Sequence, residues 1–301
     1  MATQTLNLDE AYRYCEELMC RRESNFSLGF TFLPDDKRRA IHVVYAFCRF
    51  VDDVSDEADG VGAGVSSGPT ESDGAALSPE QLLARWTGEL DHVYKEGTAT
   101  HLISTALLDV LKRYSIPRDG FQDLIDGCVR DQEYKRYPDF KTLSRYCDLV
   151  ATSIAKVSLP VYGFRKDPRI IKHGRDLSFA FQLTNILRDI GEDLGRGRVY
   201  VPAEDFARFG LTVESVADGS CDPAKREAFY RFEAERCETY FKSGWEVIEY
   251  LDADSRPCVR VMWAAYHRLL EKILADPAAS LKTQTVLTPA DKKAITEKYA
   301  Q

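Results

Sequence analysis

From Asp36 to Asp56 apolar residues recur at three- and four-residue steps (Ala40, Val43, Val44, Phe47, Val51, Val54), the period of one helix face. Pro34 followed by Asp35 and Asp36 supplies the start signal of that helix. The same period predicts helices over about 6–22, 80–95, 102–114, 118–134, 140–163, 168–195, 223–251 and 256–275. Strand-like alternation is confined to Arg198-Val199-Tyr200-Val201, too short to carry a sheet. Helices joined by short connections imply one all-α domain across residues 1–301. Ala58 to Ser78 breaks the pattern with five glycines, four serines and a proline. It reads as a flexible loop within the domain, because the piece before it is too small to fold alone. The polar stretch after Pro277 is expected to be a peripheral tail.

Composition narrows the class. At 44% apolar and 29% charged, 301 residues bury a sizeable core. Forty basic against 48 acidic residues leave a net charge of −8, which argues against a nucleic-acid binder. No run approaches the roughly 20 apolar residues of a membrane span. Met1 to Glu10 has neither the basic start nor the apolar centre of a signal peptide. The eight cysteines form no C-x-x-C pair and read as buried thiols of a reducing compartment. The expectation is a cytoplasmic protein.

Two acidic clusters carry the candidate chemistry: Asp52-Asp53-Val54-Ser55-Asp56-Glu57 and Asp189-Ile190-Gly191-Glu192-Asp193. Each closes an apolar helix. Residues four apart share a helix face, so Asp52 lies with Asp56 and Asp189 with Asp193. Like charges at that spacing repel, and the negative end of the helix dipole disfavours them further. One such cluster reads as a solvated acidic face; two call for a cation. Oxygen ligands of this kind suit Mg²⁺, which bridges one or two carboxylates to substrate phosphates. Zinc-type His/Cys spacing and a phosphate-binding P-loop are both absent from the sequence. Arginines accompany each cluster: Arg49 before Asp52, Arg188 before Asp189, and Arg196 and Arg198 on a Gly-containing turn. Their planar forks match phosphate oxygens, although each taken singly reads as a surface ion pair. Gln182 and Asn185 extend the polar stripe on the second helix.

Phe26 to Asp56 (FSLGFTFLPDDKRRAIHVVYAFCRFVDDVSD) and Gln182 to Pro202 (QLTNILRDIGEDLGRGRVYVP) resemble the squalene/phytoene synthase family. Both aspartate motifs arrive in order with their flanks intact, and the resemblance extends from about Tyr12 to Leu269. It implies the all-α isoprenoid synthase fold, a helical bundle around a deep apolar cavity with the aspartates at its mouth. It also implies a prenyltransferase that condenses two isoprenyl diphosphates head to head through a cyclopropyl diphosphate. By the same resemblance Asp52, Asp56, Asp189 and Asp193 hold Mg²⁺, with Mn²⁺ as the substitute ion, and Tyr146 joins them in the catalytic set. Arg49, Arg188 and Arg198 match positions that contact diphosphate, and Tyr45, Gln182, Asn185 and Tyr200 match pocket positions. Val150, Ala151 and Ile154 match the wall that limits the isoprenoid tail.

Many phytoene synthases carry Val-Ala-Gly-Thr-Val-Gly where this chain has Val150-Ala151-Thr152-Ser153-Ile154-Ala155. Thr152 and Ala155 in place of glycines are expected to fill space in that wall, which favours farnesyl diphosphate and a presqualene-type route to a C30 product. Geranylgeranyl diphosphate and phytoene are the alternative. NADPH is not expected, since no dinucleotide fingerprint follows a strand. Greasy substrates make peripheral membrane contact a further expectation, and the oligomeric state is left open. Two other classes stand beside the condensing enzyme: a Mg²⁺-dependent terpene synthase that cyclises one diphosphate, and a non-catalytic helical binding protein. Labelled substrate separates the first pair, because condensation doubles the carbon count.

Overall fold

The computed structural model describes residues 7–21, 25–57 and 78–301, except the side chains of residues 21 and 55–57. The expected loop over 58–78 therefore lies outside the described residues, apart from Ser78, whose hydroxyl caps the next helix. The chain begins with α1 (Leu8–Arg21), α2 (Asn25–Phe30), α3 (Asp35–Glu57), α4 (Pro79–Asp91) and α5 (Leu102–Leu111). It continues with α6 (Arg118–Glu133), α7 (Phe140–Cys147), α8 (Ser153–Tyr162), α9 (Arg169–Arg188) and α10 (Ile190–Gly195). The last helices are α11 (Ala203–Arg208), α12 (Val213–Ala217), α13 (Pro223–Trp245), α14 (Arg256–Ala275), α15 (Pro277–Ser280) and α16 (Pro289–Tyr299). Among the described residues there is no strand, and the Arg198–Val201 candidate makes one parallel bridge, Val199 with Arg136.

Helix α9 is the axis of the molecule. Ile170, Leu177, Phe179, Ala180, Phe181, Leu183, Ile186 and Leu187 are buried on nearly every side of it, the mark of a helix enclosed by others. Helices α13 and α14 pack on it, as do α8 and the turn that precedes it. Helix α3 buries Ala40, Val43, Val44, Phe47, Val51 and Val54, the positions its period singles out. Lys37 near its start is buried and gives its ammonium to Tyr162 O (2.8 Å), Asp254 Oδ1 (2.7 Å) and Ser255 Oγ (3.1 Å), tying α3 to the end of α8 and the start of α14. None of the eight cysteines forms a disulfide, and seven are buried. Among the described residues no helix is long and apolar enough to cross a membrane.

Three departures from the sequence reading bear on the site. The helix expected over 140–163 is interrupted by a π turn, Asp148–Thr152, which inserts one extra residue between α7 and α8. There Arg175 of α9 grips Asp148 with two bonds (2.6 and 3.0 Å), and Gly127 of α6 comes so close that a Cβ would lie 2.5 Å from Val150 Cγ1. The helix expected over 168–195 breaks at Asp189, which ends α9 and precedes α10. The stretch after Pro277 is no loose tail: Leu287 and Ile295 are buried, and Lys272 and Arg268 of α14 bond Asp291 at 2.8 and 2.9 Å. Two buried apolar residues and a shared carboxylate anchor a segment whose average polarity suggested otherwise.

Candidate active site

A cavity of about 680 Å³ runs alongside α9, enclosed by α2, α3, α6, α8, α14 and the segment before α16. Gly174, Leu177, Ser178, Phe181, Gln182, Asn185, Ile186, Arg188 and Asp189 line it from one face of that helix. At 1.5 Å per residue, that face extends for about 22 Å. Its N-terminal end is apolar, closed by Leu159, Leu177, Val247 and Leu251. Aromatic rings form the middle, with Phe181 stacked on Tyr266 at 4.3 Å and Phe26 tilted against the same ring at 5.2 Å. The C-terminal end is polar.

At the polar mouth each arginine is already matched to a carboxylate. Arg188 holds Asp189 through Nε (2.8 Å) and Nη2 (2.6 Å). Arg49 reaches Asp52 at 3.1 Å and Asp53 at 2.6 Å on its own helix. Arg196 bonds Glu192 at 2.6 Å. Asp193 is pushed up to about 8, first by burial and then by the neighbouring Asp189 charge, which Arg196 only partly offsets. The mouth thus concentrates more negative charge than its arginines neutralise locally. Among the described residues no three carboxylate, imidazole or thiolate groups form a ready-made metal cage. The donor chemistry fits a hard cation that shares its oxygens with a bound phosphate, as Mg²⁺ does.

A second polar cluster lies on the wall, inside the mouth. After α10, Gly197 takes a left-handed conformation (φ +75°) that turns the chain back. The segment 198–203 then runs beside 135–138, with Val199 N bonded to Lys135 O (2.8 Å) and Ala203 N to Tyr137 O (2.9 Å). Alternate residues of an extended segment face one side, and Arg198 and Tyr200 face Asp131 of α6. Tyr200 Oη donates to Asp131 Oδ2 at 2.6 Å, Arg198 Nη1 at 3.0 Å and Tyr146 Oη at 3.2 Å. Burial pushes the Asp131 carboxyl up, against the pull of Arg198 and the two phenols.

Of the residues singled out from sequence, Tyr45, Arg49, Asp52, Tyr146, Val150, Ala151, Ile154, Gln182, Asn185, Arg188, Asp189, Asp193, Arg198 and Tyr200 all line this one cavity. Asp56 lies on α3, and its side chain is outside the described residues. Arg198, read as a diphosphate contact, is 4% exposed and pairs with Asp131 instead of standing open at the mouth. Thr152 does not contribute to the wall; its hydroxyl turns to Asp148 Oδ1 at 3.1 Å, so only Ala155 of the two replaced glycines faces the cavity. Sequence reasoning passed over Asp131, Gln284 and Lys292, which line the cavity as well. Asp131 sits in Arg130-Asp131-Gln132-Glu133, which looks like a solvated helix end, and the other two lie in the stretch taken for a tail.

A sequence profile of the squalene/phytoene synthase family matches residues 20–291. The chain is 32% identical over 278 residues to the 15-cis-phytoene synthase of Synechococcus elongatus, covering 89% of this chain and 85% of that one. It is 31% identical over 277 residues to the phytoene synthase of Mycobacterium bovis, covering 90% and 84%. Among solved structures it is similar to a dehydrosqualene synthase in complex with ligand (TM-score 0.83, 24% identity, 97% and 96% covered). It is also similar to the squalene synthase HpnC from Alicyclobacillus acidocaldarius (TM-score 0.75, 24% identity, 88% and 94% covered). At those identities the two structures speak for the fold.

Proposed function

The chain belongs to the squalene/phytoene synthase family of head-to-head prenyltransferases, and we propose that it joins two farnesyl diphosphates, with its polar mouth as the ionisation site and its apolar wall as the tail channel. Support comes above all from the continuity of one face of α9, which carries Asp189 and Arg188 at one end and Leu177 and Gly174 at the other. A diphosphate and its hydrocarbon tail need these two environments in line.

In this reading Asp52, Asp56, Asp189 and Asp193 would hold Mg²⁺. Bound there, the ion supplies charge neutralisation to the leaving group. Arg49 and Arg188 exchange their carboxylate partners for phosphate oxygens, a swap between two charge-assisted bonds of similar strength. The donor's C–O bond then breaks, and the diphosphate departs with the electron pair. The double bond of the second substrate attacks the allylic cation, and loss of a proton closes the cyclopropane ring. The apolar and aromatic walls keep water from the cation in the meantime. Tyr45, Tyr146, Gln182, Asn185 and Tyr200 supply the polar groups that orient the reacting ends.

Farnesyl diphosphate is favoured by Ala155, which narrows the wall where glycine would leave room, and by Ile154 beside it, one carbon larger than the valine of many phytoene synthases. A second reading, geranylgeranyl diphosphate to phytoene, is favoured by the relatives above, both phytoene synthases, and by the length of the α9 face. Peripheral membrane contact belongs to the same proposal. Phe164 and Ile171 are exposed, and Arg165, Lys166 and Lys172 adjoin them in sequence. Purified protein incubated with Mg²⁺ and each diphosphate, followed by mass spectrometry, tests the function. A product with twice the donor's carbon is expected, and a cyclised single-donor product would replace condensation with terpene cyclisation.

A further inference from the structure

Asp131 is 6% exposed and occupies the last turn of α6. One of its oxygens, Oδ2, collects Tyr200 Oη (2.6 Å), Arg198 Nη1 (3.0 Å) and Tyr146 Oη (3.2 Å). These partners come from α7 and from the extended segment after α10, so only the tertiary fold assembles them. The Tyr146 and Tyr200 rings stack at 5.3 Å and 23°, and both line the cavity.

A phenol carries one proton and two lone pairs. When that proton is donated to Asp131, the oxygen has only lone pairs left for anything else it meets. Arg198 takes one of those of Tyr200 at 3.3 Å. Without an acceptor behind them, both hydroxyls would be free to rotate their positive O–H ends into the lumen. The carboxylate is itself partly masked by these donors. Its Oδ2 is covered by three donors, and its Oδ1 is buried without a hydrogen-bond partner among the described residues. A cation in the lumen therefore meets phenol oxygens and ring faces beside a carboxylate whose Oδ2 is covered by three donors.

We propose that Asp131 is a positioning residue: it fixes the Tyr146 and Tyr200 hydroxyls with their protons turned away, so that the middle of the cavity presents lone pairs and π faces to the cationic intermediates. This role rests on the condensation reading above. Its energy source is preorganisation, because dipoles already aligned on a developing charge need no rearrangement when it forms. The ring faces add cation–π attraction in a site shielded from water.

The test uses the full chain with Mg²⁺ and farnesyl diphosphate and compares four proteins: wild type, Asp131→Asn, Tyr146→Phe/Tyr200→Phe, and the triple variant. Asparagine keeps the shape of Asp131 but not its charge: the tyrosine protons are left with a neutral amide oxygen, a weaker acceptor that holds them less firmly, and Arg198 loses its ion-pair partner. We expect kcat to fall about 100-fold in Asp131→Asn. KM should change far less, and the share of water-quenched allylic alcohol should rise. If Asp131 acts through the tyrosines, adding Asp131→Asn to the Phe pair should lower kcat by less than about threefold. A purely structural carboxylate would lower melting temperature but leave kcat and the product ratio of the folded protein unchanged, and that result overturns the proposal. Fully multiplicative losses in the triple variant overturn it too. Should Asp131→Asn fail to fold, the Phe pair decides alone: an unchanged kcat and product ratio rejects the role, and a loss confined to kcat supports it. Failure of condensation is read separately, from the wild-type product. If one donor is merely ionised and cyclised, the function is wrong while the variants still report on placement of the hydroxyls.

Discussion

Gln284 Nε2 donates to Asp189 Oδ1 at 3.0 Å, joining the mouth of the cavity to a segment 95 residues further along the chain. Asp189 already receives both arms of Arg188, so Gln284 is its third donor. The segment is held against α10 at close range, with Leu281 O only 2.6 Å from where a Cβ on Gly191 would sit, and Leu287 buried beyond. The stretch between α15 and α16 is therefore a strap across the polar mouth, and Thr285, Val286 and Lys292 line the cavity with it.

That bond competes with any cation for Asp189. Gln284→Ala should lower the Mg²⁺ concentration for half-maximal activity by about threefold, the modest value of a hydrogen bond at a solvent-accessible site. Metal titration of initial rates, with helical circular dichroism as the control for folding, measures it. A rise in the Mg²⁺ requirement would instead make Gln284 a substrate contact.

Asp193 gives the clearest sign for pH. Its carboxyl is pushed up to about 8 by burial and by Asp189, whereas in the unfolded chain it titrates near 3.9. Between those values the folded state holds a proton the unfolded state has lost, so stability falls as pH rises from about 4 to about 8. Asp193→Asn removes that penalty. We expect its metal-free melting temperature to exceed wild type by roughly 2–6 °C above pH 8, with the gap closing toward pH 4, while turnover collapses. Added Mg²⁺ should stabilise the wild type and not the variant. Differential scanning calorimetry at both pH extremes, with and without Mg²⁺, checks both signs.

What the sequence made legible follows from range. Arg49 and Asp52 on α3, and Gln182, Asn185 and Arg188 on α9 with Asp189 at its end, lie within one or two turns of each other, and helical period alone brings each set together; Asp193 lies past the break, on α10. The spacing of Tyr146, Val150, Ala151 and Ile154 also survives the π turn, because one extra residue leaves steps of three and four intact. For the same reason that spacing could not reveal the turn, nor that Thr152 faces Asp148. Asp131 and Arg198 are 67 residues apart and meet only through the tertiary fold. Gln284 and Asp189 are further apart still. A polar residue whose partner is remote looks the same in sequence as one that faces water.

The exposed pair at the α8–α9 turn has a direct test. Phe164 is 36% and Ile171 71% exposed, with Arg165, Lys166 and Lys172 next to them in sequence. Apolar side chains inserted at a bilayer surface and cations above anionic headgroups reinforce each other. Phe164→Ser/Ile171→Ser should lose most co-sedimentation with vesicles rich in anionic phospholipid, while kcat on detergent-dispersed substrate is kept. Equal sedimentation of the two proteins would remove this face from the membrane proposal.

Donor length is decided further down the cavity. Ile154 and Ala155 enter the wall from α8, opposite the face of α9 that carries Gly174 and Leu177. The longer donor brings five more carbons, worth up to about 4 kcal/mol at 0.8 per CH₂-sized group when the channel accepts them and lost when it does not. Ile154→Ala removes three carbons from the wall, so part of that difference should be recovered. We expect its kcat/KM ratio for geranylgeranyl over farnesyl diphosphate to rise by about tenfold, below the full transfer value because neighbouring side chains relax into the space. Ala155→Val should move the ratio the other way by adding bulk at the adjacent position. Steady-state competition between the two diphosphates, read by mass spectrometry of the products, measures both shifts in one experiment. A wild-type ratio already favouring the longer donor would assign the enzyme to phytoene formation. If the ratio moved with neither substitution, the length limit would lie elsewhere, at the Leu159, Val247 and Leu251 end of the channel.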